Sequence, residues 1–163
     1  MKIRKMKKVL IAIDYNPTAQ KIAETGYSLA KSMNAEITLV HVVADYTYYS
    51  SLDYSPIMGF DSFSTMGMVQ TNTVVELEKA AHEYLEKTKK HLGDTSIKTL
   101  VKDGDSGDAI IEAANEIKAD VIVLGSHSRR GLDKILMGSV AEKVLRHSKV
   151  PLFIIPVSEK EKK

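Results

Sequence analysis

The sequence predicts a single α/β domain, a five-stranded and mostly parallel sheet covered by helices on both faces. Three observations carry that expectation. Short unbroken apolar runs, among them Val9 to Ile13 and Val121 to Leu124, have the composition of strands buried on both sides. The segments between such runs place apolar residues at helical spacing. The two kinds of segment alternate along the chain, and alternation of this kind demands parallel strands joined by helical crossovers.

Lys8 to Asp14 opens the sheet, with Val9, Leu10, Ile11, Ala12 and Ile13 in series. Asn16-Pro17 then reads as a helix start, Asn16 as N-cap and Pro17 at the first helical position. Ala19, Ile22, Ala23, Gly26, Ala30 and Met33 form one face of that helix, and Asn34 closes it. The second strand, Glu36 to Val43, carries Ile37, Leu39, Val40, Val42 and Val43. Residues 44–72 differ in character. They hold Tyr46, Tyr48, Tyr49 and Tyr54, four of the seven tyrosines, among serine, glycine and methionine. So long a segment without periodicity reads as a variable insert, either a plain surface loop or a flap over a ligand or partner.

Helical spacing returns at Val74, Leu77, Ala81, Tyr84, Leu85 and Thr88 and stops near Leu92-Gly93. Ser96 to Lys102 is a third strand and Asp103-Gly104-Asp105 a turn. Ser106 reads as the cap of a helix facing inward with Ala109, Ile110, Ala113, Ala114 and Ile117. Asp120 to Leu124 is the fourth strand and runs straight into Gly125. Gly138-Ser139 opens the last helix, with Val140, Val144 and Leu145, before a final strand from Leu152 to Ile155.

Composition narrows the function. The 163 residues include no cysteine, which excludes disulfides, thiolate metal sites and cysteine nucleophiles. A net charge of +2 gives no argument for a nucleic-acid partner. No apolar run approaches the ~18 residues that span a bilayer, and none forms a secretory h-region, so neither a membrane nor export is expected. The expected location is the cytoplasm. Neither a G-x-S-x-G elbow nor a Walker A loop is present. Binding is therefore favoured over turnover, with slow hydrolysis of a bound phosphate ester as the most that catalysis would offer.

In open parallel sheets, ligands bind beyond the carboxyl ends of the strands, where strand order reverses. Asp14, Val43 and Gly125 sit at such ends. If the first and fourth strands are neighbours, Asp14 and Gly125 flank one crevice. The stretch from Gly125 to Ser139 carries the most information. Gly125 lets the backbone turn sharply and approach a ligand closely. Gly138 and Ser139 stand at a helix N-terminus, where free N–H groups and the helix dipole favour phosphate. Arg129, Arg130 and Lys134 keep the loop between them positive. Taken alone, the spacing is also compatible with ordinary turn chemistry. His41, on a buried strand with no second histidine at ligand spacing, reads as a hydrogen-bonded core residue.

Gly-Ser-His at 125–127, Gly-Ser-Val at 138–140 and Val-Pro-Leu at 150–152 together resemble the universal stress protein family. The likeness extends to the strand ending in Asp14, to His41-Val42-Val43 and to the insert at 44–72, and so covers nearly the whole chain. It implies the strand order 3-2-1-4-5, a Rossmann-like sheet with ATP (or ADP or AMP) between the first and fourth strands. At matching positions, Ala12, Ile13 and Asp14 would line the adenine and ribose, and the Val42 backbone would read the adenine edge. Gly125, His127 and Ser128 would wrap the ribose and first phosphates. Gly138, Ser139 and Val140 would hold the phosphate tail, with Mg2+ or Mn2+ bridging its oxygens. The family's pairing of last strands implies a homodimer through Leu152 to Val157. One departure stands out. Nucleotide-binding members carry Gly-x2-Gly-x9-Gly-Ser/Thr, and here the second glycine is Ser128, with Gly131 three residues on. That serine and the tyrosines of the insert motivate the alternative, a dimeric interaction module that works through 44–72 without nucleotide.

Overall fold

The computed structural model describes residues 3–43, 73–126 and 137–157. Their order is β1 (Lys8–Ala12), α1 (Ala19–Ser32), β2 (Glu36–Val43), α2 (Thr73–Leu92), β3 (Lys98–Asp103), α3 (Ser106–Ile117), β4 (Val121–Gly125), α4 (Ser139–His147) and β5 (Leu152–Ile155). The strands form one sheet in the order β3-β2-β1-β4-β5, and every pairing is parallel. The parallel α/β architecture is that expected from the alternation of apolar runs and helical periods, and the strand order is the one the family resemblance implies.

Strand side chains alternate faces, and the sequence fills both. Val9, Ile11, Ile37, Leu39, Val121 and Val123 point into the layer shared with α1 and α2. Leu10, Val40, Ile122 and Leu124 point the other way, against Ile110, Ala113 and Ala114 of α3 and Ala141 and Val144 of α4. Leu10, Ile11, Ile122 and Val123 are fully buried. Truncating any of the larger ones to alanine costs ~2–5 kcal/mol.

Local chemistry moves several element ends from their expected places. α1 starts at Ala19 with Thr18 as its N-cap, not at Asn16-Pro17. The reason is a relay of short polar turns: the Asp14 carboxylate accepts the Asn16 N–H at 2.9 Å, and Asn16 Oδ1 accepts the Thr18 N–H at 3.1 Å and its hydroxyl at 2.9 Å. Asp105, not Ser106, caps α3, because its carboxylate accepts the Asp108 N–H at 3.0 Å. Val74 lies outside the inward stripe of α2 and is exposed, whereas Leu77, Ala81 and Leu85 are buried. β3 begins at Lys98, two residues after Ser96, since Ser96 closes a turn on the Asp94 carboxylate. Asn34 ends α1 in the left-handed region at φ 51°, and Gly93 follows α2 at φ 70°.

The amino-terminal end of the sheet is tied by its own acids. The Asp120 carboxylate accepts the N–H groups of Lys7 and Lys8 at 2.8 and 3.0 Å and pairs with Arg4 at 2.9 Å. The Lys7 N–H, above all, holds that carboxyl below its ordinary range. Asp94 is likewise lowered, first by the Ser96 hydroxyl.

Candidate functional site

β1 and β4 are direct neighbours, paired from Val9↔Val121 to Ile11↔Val123. β1 leads to β2 on one side and adjoins β4 on the other, so the strand order reverses between β1 and β4. Asp14 and Gly125 therefore flank one crevice at the carboxyl end of the sheet, the place where such folds receive ligands. Ala12 ends β1. Ile13 is buried and still tied to the sheet, its N–H donating to the Val40 carbonyl at 3.0 Å. Asp14 is half-buried where the chain leaves the sheet, one carboxylate oxygen engaged by Asn16.

Val42 is placed by strand alternation. The Val40 carbonyl accepts from β1, and the Val43 carbonyl accepts from Gly104 beside β3. Polar main-chain groups of a strand alternate sides, so those of Val42 point toward the β1 side, beyond the level of Ile13.

Gly125 is glycine for a reason other than the expected sharp turn. It is the last residue of β4, paired with Ile155 and without a positive φ. A Cβ there would lie 2.5 Å from Ile22 Cδ1 and 3.3 Å from Val157 Cγ2. Close packing of α1 and the β5 exit against β4 leaves room for a side chain there only if Ile22 shifts.

Ser126 then draws three segments together. Its N–H donates to the Ile155 carbonyl at 2.9 Å, its carbonyl accepts the Gly138 N–H at 2.7 Å, and its hydroxyl accepts the Val157 N–H at 3.2 Å. The Ser126–Gly138 bond brings the start of α4 to the tip of β4. Gly138 caps α4 at φ −60° and ψ 153° with no side-chain hydrogen bond. The first intrahelical bond is Glu142 N–H to the Gly138 carbonyl at 2.9 Å. The amides of Ser139, Val140 and Ala141 precede it and form the electropositive end of the helix. His127 and Ser128 lie outside the described residues, as do Arg129, Arg130, Gly131, Lys134 and the insert at 44–72.

The family model of the universal stress protein family matches residues 5–156. The chain belongs to that family. Universal stress protein MJ0577 of Methanocaldococcus jannaschii is 30% identical over 162 residues, covering 91% of this chain and 94% of its own. Universal stress protein MJ0531 of the same organism is 29% identical over 157 residues, covering 95% of this chain and 85% of the relative. The solved structure of MJ0577 superposes with a TM-score of 0.70 over 96% of this chain and 99% of that one, at 23% identity. A universal stress protein in complex with cAMP superposes at 0.61 over 93% and 98%, at 20% identity.

Within this family fold the structure adds residues that sequence spacing did not single out for the site. Ser126 is one; its only signal is a polar residue directly after the strand-end glycine. Tyr15 and Tyr84 are the others, and they form an aromatic group with His41 where β1 and β2 end. The rings of Tyr15 and His41 lie 4.2 Å apart, Tyr15 and Tyr84 4.9 Å, and His41 and Tyr84 5.8 Å. His41 is a hydrogen-bonded core residue, as expected: Nδ1 donates to the Ile13 carbonyl at 2.9 Å, which fixes the proton on that nitrogen.

Among the described residues, no helix is long and apolar enough to cross a membrane. No group of three or more acids and histidines gathers among them to form a metal cage. A shallow groove of about 510 Å3 runs along α3, lined by Asp108, Ile111, Glu112, Asn115, Glu116 and His147. It shares no residue with the crevice, and its carboxylates oppose a polyphosphate.

Proposed function

We propose that the protein is a cytoplasmic nucleotide-binding regulator of the stress response that holds ATP, ADP or AMP in the crevice between β1 and β4. The observation that carries this reading is the glycine-capped start of α4, tied through Ser126 to the tip of β4 beside Asp14. A helix start whose cap has no side chain, at a strand-order reversal, supplies amides and a positive dipole for phosphate. The residues fit such a ligand. Asp14 has a second carboxylate oxygen for a ribose hydroxyl, Ala12 and Ile13 would line the adenine and ribose end from the close of β1, and the Val42 main chain offers a donor and an acceptor to the purine edge.

Gly125, His127 and Ser128 would wrap the ribose and first phosphates, while Gly138, Ser139 and Val140 hold the tail. A divalent cation, Mg2+ or Mn2+, would be held chiefly by phosphate oxygens, a mode in which few protein ligands are needed. The reading includes a homodimer through Leu152 to Val157. Among the described residues β5 pairs only with β4, at the margin of the sheet, and Phe153 on it is 38% exposed. Such an edge is suited to pairing with a second copy.

Mass spectrometry of the small molecules that co-purify with the native protein, followed by isothermal titration of the stripped protein, tests the reading. An adenine nucleotide bound at one site per chain is the expected result. Absence of measurable binding to ATP, ADP and AMP would refute it.

A further inference from the structure

We infer that Tyr84, on α2, is a positioning residue for the ligand-facing end of β1; the inference rests on the nucleotide reading above. β1 ends at Ala12, so the Asp14 carbonyl has already left the ladder of strand hydrogen bonds. Tyr84 supplies the donor. Its hydroxyl bonds that carbonyl at 2.6 Å, across 70 residues of chain. The bond is short for a neutral pair and is partly shielded from water, which strengthens it relative to an exposed one.

The same phenol ring stands edge-on to Tyr15 and His41, and His41 in turn holds the Ile13 carbonyl at 2.9 Å. Ile13, Asp14 and Tyr15, the three residues by which β1 exits the sheet, are thus gripped by side chains from β2 and α2. The Asp14 carboxylate is the group they aim. One of its oxygens is fixed by the Asn16 N–H, so the direction of the other follows from the main chain that Tyr84 holds. Groups that hold a binding side chain within about 0.5 Å of its working position act through such second contacts.

Tyr27 provides an internal control. Its hydroxyl also reaches an aspartate, Asp94 at 3.3 Å, in the turn between α2 and β3. That contact is structural on any reading.

The test compares Tyr84→Phe and Tyr27→Phe with the parent protein by two measurements. The first is ATP affinity by isothermal titration. The second is hydrogen exchange of the Asn16 amide in nucleotide-free protein, which reports whether the Asp14 carboxylate keeps its orientation. Tyr84→Phe is expected to weaken ATP binding about fivefold, as for one lost hydrogen bond. It should also speed exchange at Asn16 about tenfold, with an unchanged circular dichroism spectrum. Tyr27→Phe should change neither. Parent-like affinity and exchange in Tyr84→Phe overturn the inference and leave the nucleotide reading standing. If the parent itself binds no nucleotide, that reading falls, and the exchange measurement judges Tyr84 separately: unchanged protection of Asn16 overturns its role.

Discussion

Helices α3 and α4 pack side by side on one face of the sheet, and their amino-terminal ends are built in opposite ways. α3 is closed by its own chain. The Asp105 carboxylate accepts the Asp108 N–H at 3.0 Å, and Lys143 of α4 covers Asp105 and Asp108 at 2.9 and 3.0 Å. α4 starts at Gly138, which has no side chain to offer, and its first-turn acid, Glu142, is drawn away to Arg146 at 2.8 Å. An aspartate cap is more stable than a glycine by only a few tenths of a kcal/mol. On the nucleotide reading, α4 forgoes that small gain and keeps its amides for an anion from outside. One helix end is closed by a side chain of its own chain, and the other has no side-chain cap.

Making α4 like α3 should have the largest effect. Gly138→Asp places a carboxylate where the phosphates would sit, and ATP affinity is expected to fall about 100-fold, the loss of ~3 kcal/mol of charge-assisted bonding. Thermal stability should rise slightly, because the helix gains a cap. Titration and thermal unfolding of the same sample read these opposite signs. Unchanged affinity would mean that the open end of α4 has no part in binding.

The opposite end of the sheet supplies the control for an acid that serves stability alone. Asp120→Ala removes two main-chain hydrogen bonds to a carboxylate and is expected to cost ~2 kcal/mol near neutral pH, with nucleotide affinity unchanged. In the folded protein this carboxyl lies below its ordinary 3.8. A lowered value means that the stabilisation is complete above the unfolded-state range and lost as pH falls through the native one. Chemical denaturation should therefore show the gap between parent and variant closing from about pH 5 toward about pH 3.

Gly125→Ala probes the crevice wall itself. The new Cβ meets Ile22 Cδ1 at 2.5 Å, and a loss of ~1–2 kcal/mol is expected from overpacking. Ile22→Val removes the offending methyl. The double variant should be more stable than the sum of the two single losses predicts, which a double-mutant cycle would measure. A purely additive result would assign Gly125 to the ligand side alone.

Much of this contrast is legible in the sequence, and what escapes it has physical causes. Buried runs such as Val121 to Leu124 and the helical spacing of Ala109 to Ile117 determine strands, crossovers and layers, because period and polarity are local properties. The order 3-2-1-4-5 entered only through family resemblance, and with it the adjacency of Asp14 and Gly125. Helix caps moved by one or two residues where two polar residues competed, as with Asp105 over Ser106 and Thr18 over Asn16, since the winner depends on which side chain reaches the free amides. Gly125 read as a turn glycine because nothing local announces that Ile22, about 100 residues upstream, will pack on it. Tyr84 read as one more apolar position on a helix; only the folded chain shows its hydroxyl at the Asp14 carbonyl. Long-range contacts of this kind leave no periodic trace.

The smallest effect concerns the closed end. The N–H of Asp108, and after it Lys143, hold the Asp105 carboxyl below its ordinary range, so its contribution is present at neutral pH and disappears in acid. Asp105→Ala is expected to cost ~1 kcal/mol of stability by loss of the cap. It also frees from one partner the Lys143 ammonium of α4, the helix whose amino-terminal end would face the phosphates. If α3 closes only for the fold, ATP affinity in Asp105→Ala stays within about twofold of the parent, because Lys143 keeps its pairing to Asp108 at 3.0 Å. A larger gain would show that Lys143 is a phosphate ligand restrained by Asp105. The two helix ends would then act as one electrostatic unit, with the acid of the first regulating the second.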